Sequence, residues 1–228
     1  MIVIDNLSFS YNEKPVLQNM NISFEENLTH GIVGLNGSGK TTFFNILSGF
    51  LTPDEGSITL NGISIKKNDI AYIDAESFFY PKLTAFEFLS VFPKTNLNYN
   101  ESELAKVFDL PLDEFIDTYS TGMKKKLLII SQLKQDKKIF ILDEPFNGLD
   151  VESNKTLQMI IELLNKKNKT IFIASHIIEP LYTICQKIHH LKNKQFVKSY
   201  TSDQFSQLDA EVFGDFNENL KAALSKSI

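Results

Sequence analysis

Eight residues, Gly34-Leu-Asn-Gly-Ser-Gly-Lys-Thr41, constrain this chain more than any other stretch. Ahead of them runs an apolar segment, His30-Gly-Ile-Val33, that reads as a buried strand. After them Phe43, Phe44, Ile46, Leu47 and Phe50 recur at helical spacing from Lys40 to Leu51, and Gly49 and Pro53 mark the exit. A strand, a glycine-rich turn and a helix in that order form a phosphate-binding loop. Glycines let the backbone curl until successive N–H groups point inward, and the helix adds the positive end of its dipole. The cradle then comprises Asn36, Gly37, Ser38, Gly39, Lys40, Thr41 and Thr42, with Lys40 across the β- and γ-phosphates and Thr41 on Mg²⁺. The bland alternative is a glycine-rich turn with no ligand.

A second element supports the loop reading. Ile139-Phe-Ile-Leu is a four-residue apolar strand that delivers Asp143 and Glu144 at its carboxyl end, the end at which α/β sheets bind ligands. Asp143 is placed to hold Mg²⁺ and Glu144 to polarise an attacking water as general base. Alone, an Asp-Glu pair after a strand is a solvated turn.

Around these motifs the pattern changes character twice. Residues 1–33 alternate apolar and polar positions, with turns at Asn12–Pro15 and Glu25–Asn27, and read as short antiparallel strands. Gly56–Ile65 reads as a hairpin turning at Asn61-Gly62. From about Ser77 to Lys134 the period is helical: Thr84 and Glu87 have capping-box spacing, Leu97, Leu104, Val107 and Phe108 form a stripe, and Leu127–Leu133 is a buried helix. Strands resume at Ile139–Leu142 and Thr170–Ala174, separated by a helix with Val151, Leu157, Ile160, Ile161 and Leu164 on one face. Strand, helix, strand with buried β-rich runs means a mostly parallel sheet flanked by helices. The helical stretch is an insertion in that sheet.

The chain has 228 residues, enough for a core without covalent staples. Its single cysteine, Cys185, excludes an internal disulfide framework and a cysteine-rich zinc site, and it reads as a small core residue in a reducing compartment. The net charge of -5 gives no electrostatic ground for nucleic-acid binding. The start, MIVIDNLSFS, lacks the basic residues of a secretory signal. No apolar run approaches the ~20 residues that cross a bilayer, so no direct membrane insertion is expected.

A third set of residues ties these motifs together. Tyr119-Ser-Thr-Gly-Met123 opens the buried helix, Phe146-Asn-Gly-Leu-Asp150 follows the acidic pair, and Ser175-His176 ends the next strand. Over about residues 1–200 this arrangement resembles the ATP-binding subunit of ABC (ATP-binding cassette) transporters, exporter-like, with Tyr119–Met123 as a variant of the family's LSGGQ signature. The resemblance implies a P-loop NTPase core with an N-terminal antiparallel β subdomain and an inserted α-helical subdomain. Residues 1–76 and 135–200 would form the core, 77–134 the insertion and 201–228 a tail. It further implies an ATP hydrolase that dimerises around two ATP, with itself or a paired ATP-binding subunit, and powers transport through separate integral membrane permease subunits. The place implied is the cytoplasmic face of the cell membrane.

Residue by residue, the resemblance implies that Tyr11 stacks on adenine. Ser120 and Gly122 would contact the γ-phosphate of ATP held by the opposite subunit, Asp150 would join the two sites across the dimer, and His176 would sense the γ-phosphate. By themselves Tyr11 reads as a half-buried strand aromatic and His176 as a loop histidine. This sequence departs from the family twice. Ala75 stands where a glutamine is usual, beside Glu76, a candidate substitute. Thr121 and Met123 replace a glycine and a glutamine of the signature.

Other features are read with less function. Lys124–Lys126 either help hold phosphate or are solvated, and His189-His190 is a strand-end pair. Phe78, Phe79, Tyr80, Phe86, Phe88 and Phe92 divide between the core of the insertion and a groove for a permease helix, with Phe79 expected to be exposed. Two other functions compete with the transport reading: a nucleotide-dependent regulatory module with little turnover, and a soluble ABC ATPase of DNA repair or translation. The latter usually carries a long coiled-coil insertion or a second cassette, and neither is present here.

Overall fold

The computed structural model describes residues 1–75, 78–208, 210–212 and 214. Two sheets organise the chain. The first contains β1 (Ile2–Tyr11), β2 (Lys14–Phe24), β4 (Glu55–Leu60) and β5 (Ile63–Ser64) in the order β2-β1-β4-β5, all antiparallel. β1 and β2 are longer than the short strands expected from the sequence. The alternation breaks because register shifts interrupt the ladder without ending it, near Asn6 and Asn19, both at positive φ. The β1–β2 turn is Asn12-Glu13 and the β4–β5 turn Asn61-Gly62, each with two successive positive φ values that suit a tight hairpin.

The second sheet has six strands in the order β10-β9-β3-β8-β7-β6: β3 (Thr29–Val33), β6 (Ile70–Ile73), β7 (Ile139–Asp143), β8 (Thr170–Ala174), β9 (Lys187–Lys192) and β10 (Gln195–Thr201). Only β10 runs antiparallel to its neighbour; the rest pair in parallel. β3, β7 and β8 are buried at every residue, as strands covered on both faces must be.

One helix lies between the sheets. α1 (Lys40–Leu47) buries Phe43 and Phe44 in a core shared with Phe24 of β2 and Phe172 of β8, whose rings meet edge-on at 5.0 Å. It ends before Leu51, short of the sequence expectation, because Gly49 takes a left-handed conformation and closes it. The other helices pack in a second core: α2 (Ala85–Val91), α3 (Glu101–Val107), α4 (Thr121–Leu133), α5 (Val151–Lys166) and α6 (Glu179–Ile184). α2, α3 and α4 lie in the chain between β6 and β7.

Thr84 and Glu87 form the expected capping box on α2. The stripe through Leu97 does not form. Asn100 caps α3 by accepting from the Glu103 N–H, which leaves Leu97 outside the helix and exposed; Val107 is exposed too, and of that set only Phe108 is buried. Val151 is likewise exposed, at the first turn of α5, while Leu157 and Ile161 carry the buried face. Cys185 is buried and free, as expected.

Candidate functional site

Two strand ends bring the phosphate-loop and acidic motifs together. β3 and β7 lie on either side of β8, and their carboxyl ends release the loop 34–39 and the pair Asp143-Glu144 onto the same edge. Between them opens a cavity of about 430 Å³, lined by Asn36–Thr42, Val16, Asp143 and Glu144. The loop needs its glycines. A Cβ at Gly34 would lie 2.4 Å from the Leu191 carbonyl oxygen, and Gly39 combines φ +106° with an approach of 2.8 Å to Leu17.

Lys40 is almost fully buried, and its Nζ donates to the Gly34 carbonyl at 2.8 Å. Burial lowers its pKa, opposed by the charges of Glu144 and Asp143. Thr41 donates its hydroxyl to Asp143 Oδ2 at 2.6 Å. Asp143 is pushed upward by burial first and by the neighbouring Glu144 and Asp74 charges, partly relieved by that hydrogen bond.

Glu144 leaves the strand at φ +47°, in the left-handed region. Its Oε2 lies 2.9 Å from His176 Nδ1 and accepts from the His176 backbone N–H at 3.3 Å. A carboxylate thus sits at the cavity wall within hydrogen-bond reach of an imidazole.

A family model for ABC transporters matches residues 17–147. The chain belongs to the ABC transporter ATP-binding family. It is 33% identical to the lantibiotic transport ATP-binding protein SrtF of Streptococcus pyogenes, over 94% of this chain and 96% of that one. It is 26% identical to the ABC transporter ATP-binding protein YtrB of Bacillus subtilis, over 98% and 80%. A solved ATP-binding subunit of an ABC transporter superposes with a TM-score of 0.80 at 26% identity, over 94% of this chain and 93% of that one. The chain is therefore an ABC-type ATP hydrolase with the P-loop NTPase fold, an antiparallel sheet beside a parallel-rich one.

The residue set of the ABC subunit can be tested for Mg²⁺. Asp143 Oδ1 is buried and has no protein partner, while Oδ2 is shared with the Thr41 hydroxyl. A hydroxyl and a carboxylate are the hard oxygen donors that Mg²⁺ takes, so the pair fits. Among the described residues no cluster of three His, Cys, Asp or Glu could hold a metal, which leaves water and phosphate oxygens to complete such a shell.

The remaining site candidates lie away from this cavity. Tyr11 is half exposed at the end of β1, its ring edge-on to Phe9 at 4.9 Å. Ser120 caps α4 by accepting from the Met123 N–H at 3.2 Å. Gly122 sits where a Cβ would be 2.6 Å from the Gly148 carbonyl oxygen. Asp150 caps α5 through the Ser153 N–H at 2.7 Å and pairs with Lys126 at 3.1 Å. The Ser153 bonds and Lys126 hold its carboxyl well below the usual range. Ala75 is exposed, and Glu76 lies outside the described residues.

One lining residue escaped sequence reading, and one lysine took neither of the places the sequence offered it. Val16 lines the cavity from β2, and nothing in a strand pattern announces that. Lys125 is buried and donates to the Glu144 carbonyl at 2.7 Å, neither solvated nor on the phosphate cavity. Its signal was the four-residue spacing to Ile129, which puts both on the buried face of α4.

Proposed function

We propose that this ABC subunit binds Mg·ATP in the cavity beside Lys40, dimerises around two ATP and drives export through integral membrane permease subunits. The observation that carries the reading is the convergence of Lys40, Thr41–Asp143 and Glu144 on one cavity at the carboxyl edge of the parallel sheet, with His176 hydrogen-bonded to Glu144. In this reading the loop amides and Lys40 take the phosphates, Glu144 accepts a proton from the attacking water, and His176 orients Glu144 beside the γ-phosphate. Thr41 and Asp143 would hold Mg²⁺, which would supply Lewis-acid chemistry at the phosphates.

Ser120 and Gly122 do not line the chain's own cavity, which suits completion of a neighbour's site, and Asp150 lies beside them through Lys126. Tyr11 is assigned to adenine. The export assignment follows the name of SrtF, a lantibiotic transport protein. No described helix is long and apolar enough to cross a membrane, so separate permease subunits at the cytoplasmic face would provide the path.

Sedimentation of Glu144→Gln in saturating Mg·ATP tests the shared site. Removing the base while leaving the cradle intact should accumulate a two-fold dimer. A variant that binds ATP yet stays monomeric overturns the shared-site reading.

A further inference from the structure

The structure assigns Lys125 a positioning role in hydrolysis: its ammonium clamps the Glu144 peptide in the left-handed conformation that sets the carboxylate beside His176. The inference rests on Glu144 as the general base. A non-glycine residue at φ +47° needs its surroundings to hold it there. Three bonds do so. The Glu144 N–H donates to the Ala174 carbonyl at 2.9 Å. The Glu144 carbonyl accepts from Lys125 Nζ at 2.7 Å and from the Asn147 N–H at 3.3 Å. Of the two bonds on the carbonyl, the lysine's is the short, charge-assisted one.

The charge is placed as deliberately as the donor. Asp143, Glu144 and Asp74 all face the Lys125 ammonium. Asp143 and Glu144 also face Lys40, but Lys40 lines the cavity and points at its own loop carbonyl, whereas Lys125 approaches from the protein side. Burying an ammonium is costly unless opposite charge offsets it, and for Lys125 the charges of Asp143, Glu144 and Asp74 do so.

The clamp also has a lever. Lys125 lies one turn into α4, whose first residues include Gly122, packed against the Gly148 carbonyl. A shift of the α4 tip is therefore transmitted to the Glu144 peptide through one side chain. Lys125 never reaches the cavity, so nucleotide binding does not depend on it.

The test uses the full chain with Mg·ATP and the variants Lys125→Met, Lys125→Gln and Lys125→Arg, with Glu144→Gln as reference. The neutral variants are expected to lower kcat about 10- to 100-fold, the scale of a lost charge-assisted bond. Their ATP dissociation constant, read by direct titration, should stay within about two-fold of wild type. In sedimentation both should accumulate the ATP-bound dimer as Glu144→Gln does. Arginine, which restores cation and donor, should recover most of the turnover. The inference is overturned by neutral variants that turn over like wild type, by equal losses of ATP binding and turnover, or by an arginine variant no faster than methionine. It is also overturned if the neutral variants stay monomeric in ATP where Glu144→Gln dimerises. If Glu144→Gln itself stays monomeric, the shared-site reading fails instead, and the kcat, binding and arginine results alone decide the role of Lys125.

Discussion

Thr41 Oγ1 donates to Asp143 Oδ2 at 2.6 Å, joining α1 to the end of β7 across 102 residues of sequence. The bond fixes the helix that carries the loop against the strand that carries the acid, and it leaves Oδ1 of the same carboxylate buried and unpartnered. Asp143→Asn replaces a divalent-cation ligand with an amide of the same shape. The expected result is a rise of at least tenfold in the Mg²⁺ concentration needed for half-maximal turnover, with little change in thermal stability. An unchanged Mg²⁺ dependence would remove Asp143 from the metal role.

Lys40→Ala deletes the ammonium and its bond to the Gly34 carbonyl. Charge-assisted hydrogen bonds are worth about 1.5–3 kcal/mol, so ATP affinity should drop roughly 10- to 150-fold, with turnover falling at least as far. Equilibrium titration with a fluorescent ATP analogue measures the first. Near-wild-type affinity contradicts the cradle assignment.

Gly122→Ala tests the contact between the signature segment and the loop after the acidic pair. The added methyl would lie 2.6 Å from the Gly148 carbonyl oxygen, an approach that forces backbone to move. Overpacking of this kind costs about 1–3 kcal/mol. ATP-driven dimerisation should weaken while ATP binding to the monomer is retained. Unimpaired dimerisation would show that the contact can open freely.

The aromatics after Ala75 divide differently from expectation. Phe79 is half-buried against Phe88, ring centroids 5.0 Å apart, and Phe88 is in the core. Phe78, Tyr80 and Phe86 are the exposed members, 76%, 65% and 51% accessible. Phe78→Asp is therefore the informative change: stability and ATP binding should survive and copurification with a permease should be lost. Phe79→Asp should instead destabilise the fold. Retained copurification after substitution of Phe78, Tyr80 and Phe86 places the docking surface elsewhere.

The two histidines of the core predict a pH dependence of stability. His189 is mid-strand in β9, not at a strand end, and its Nε2 lies 3.0 Å from His30 Nδ1. His30 Nε2 donates to the Glu25 carbonyl, so its Nδ1 accepts from His189 Nε2–H, and His189 Nδ1 accepts from the Ser199 hydroxyl. Burial lowers His30 to about 4 and His189 to about 3, with Lys187 adding to both and Glu25 opposing at His30. Both are thus neutral when folded and protonate near 6.5 when unfolded. Their contribution is complete above pH 6.5 and is lost as pH falls from there toward 4. Between pH 7.5 and 5.5 the loss should be about 3 kcal/mol, roughly half of it from each histidine. Urea midpoints at the two pH values measure it, and His189→Leu should halve the difference. An undiminished difference assigns the acid sensitivity to other groups.

The sequence by itself determined the elements with strong local causes. The loop 34–41 is legible because its glycines and its flanking strand and helix are one local unit, and β7 and β8 because strands buried on both faces must be apolar throughout. Asp143 and Glu144 followed from their place at the end of such a strand. What tertiary structure decided was everything set by contact across the chain. The order β10-β9-β3-β8-β7-β6, which puts β8 between the loop's strand and the acidic pair's strand, has no local signal. Lys125 read as one of three lysines that either hold phosphate or are solvated until α4 packed and turned it under Glu144. The paired histidines looked like a strand end until β3 and β9 aligned and placed His189 against His30. Periodicity reports which face of an element is buried, and the partner on that face is chosen only when the sheets and helices close on one another.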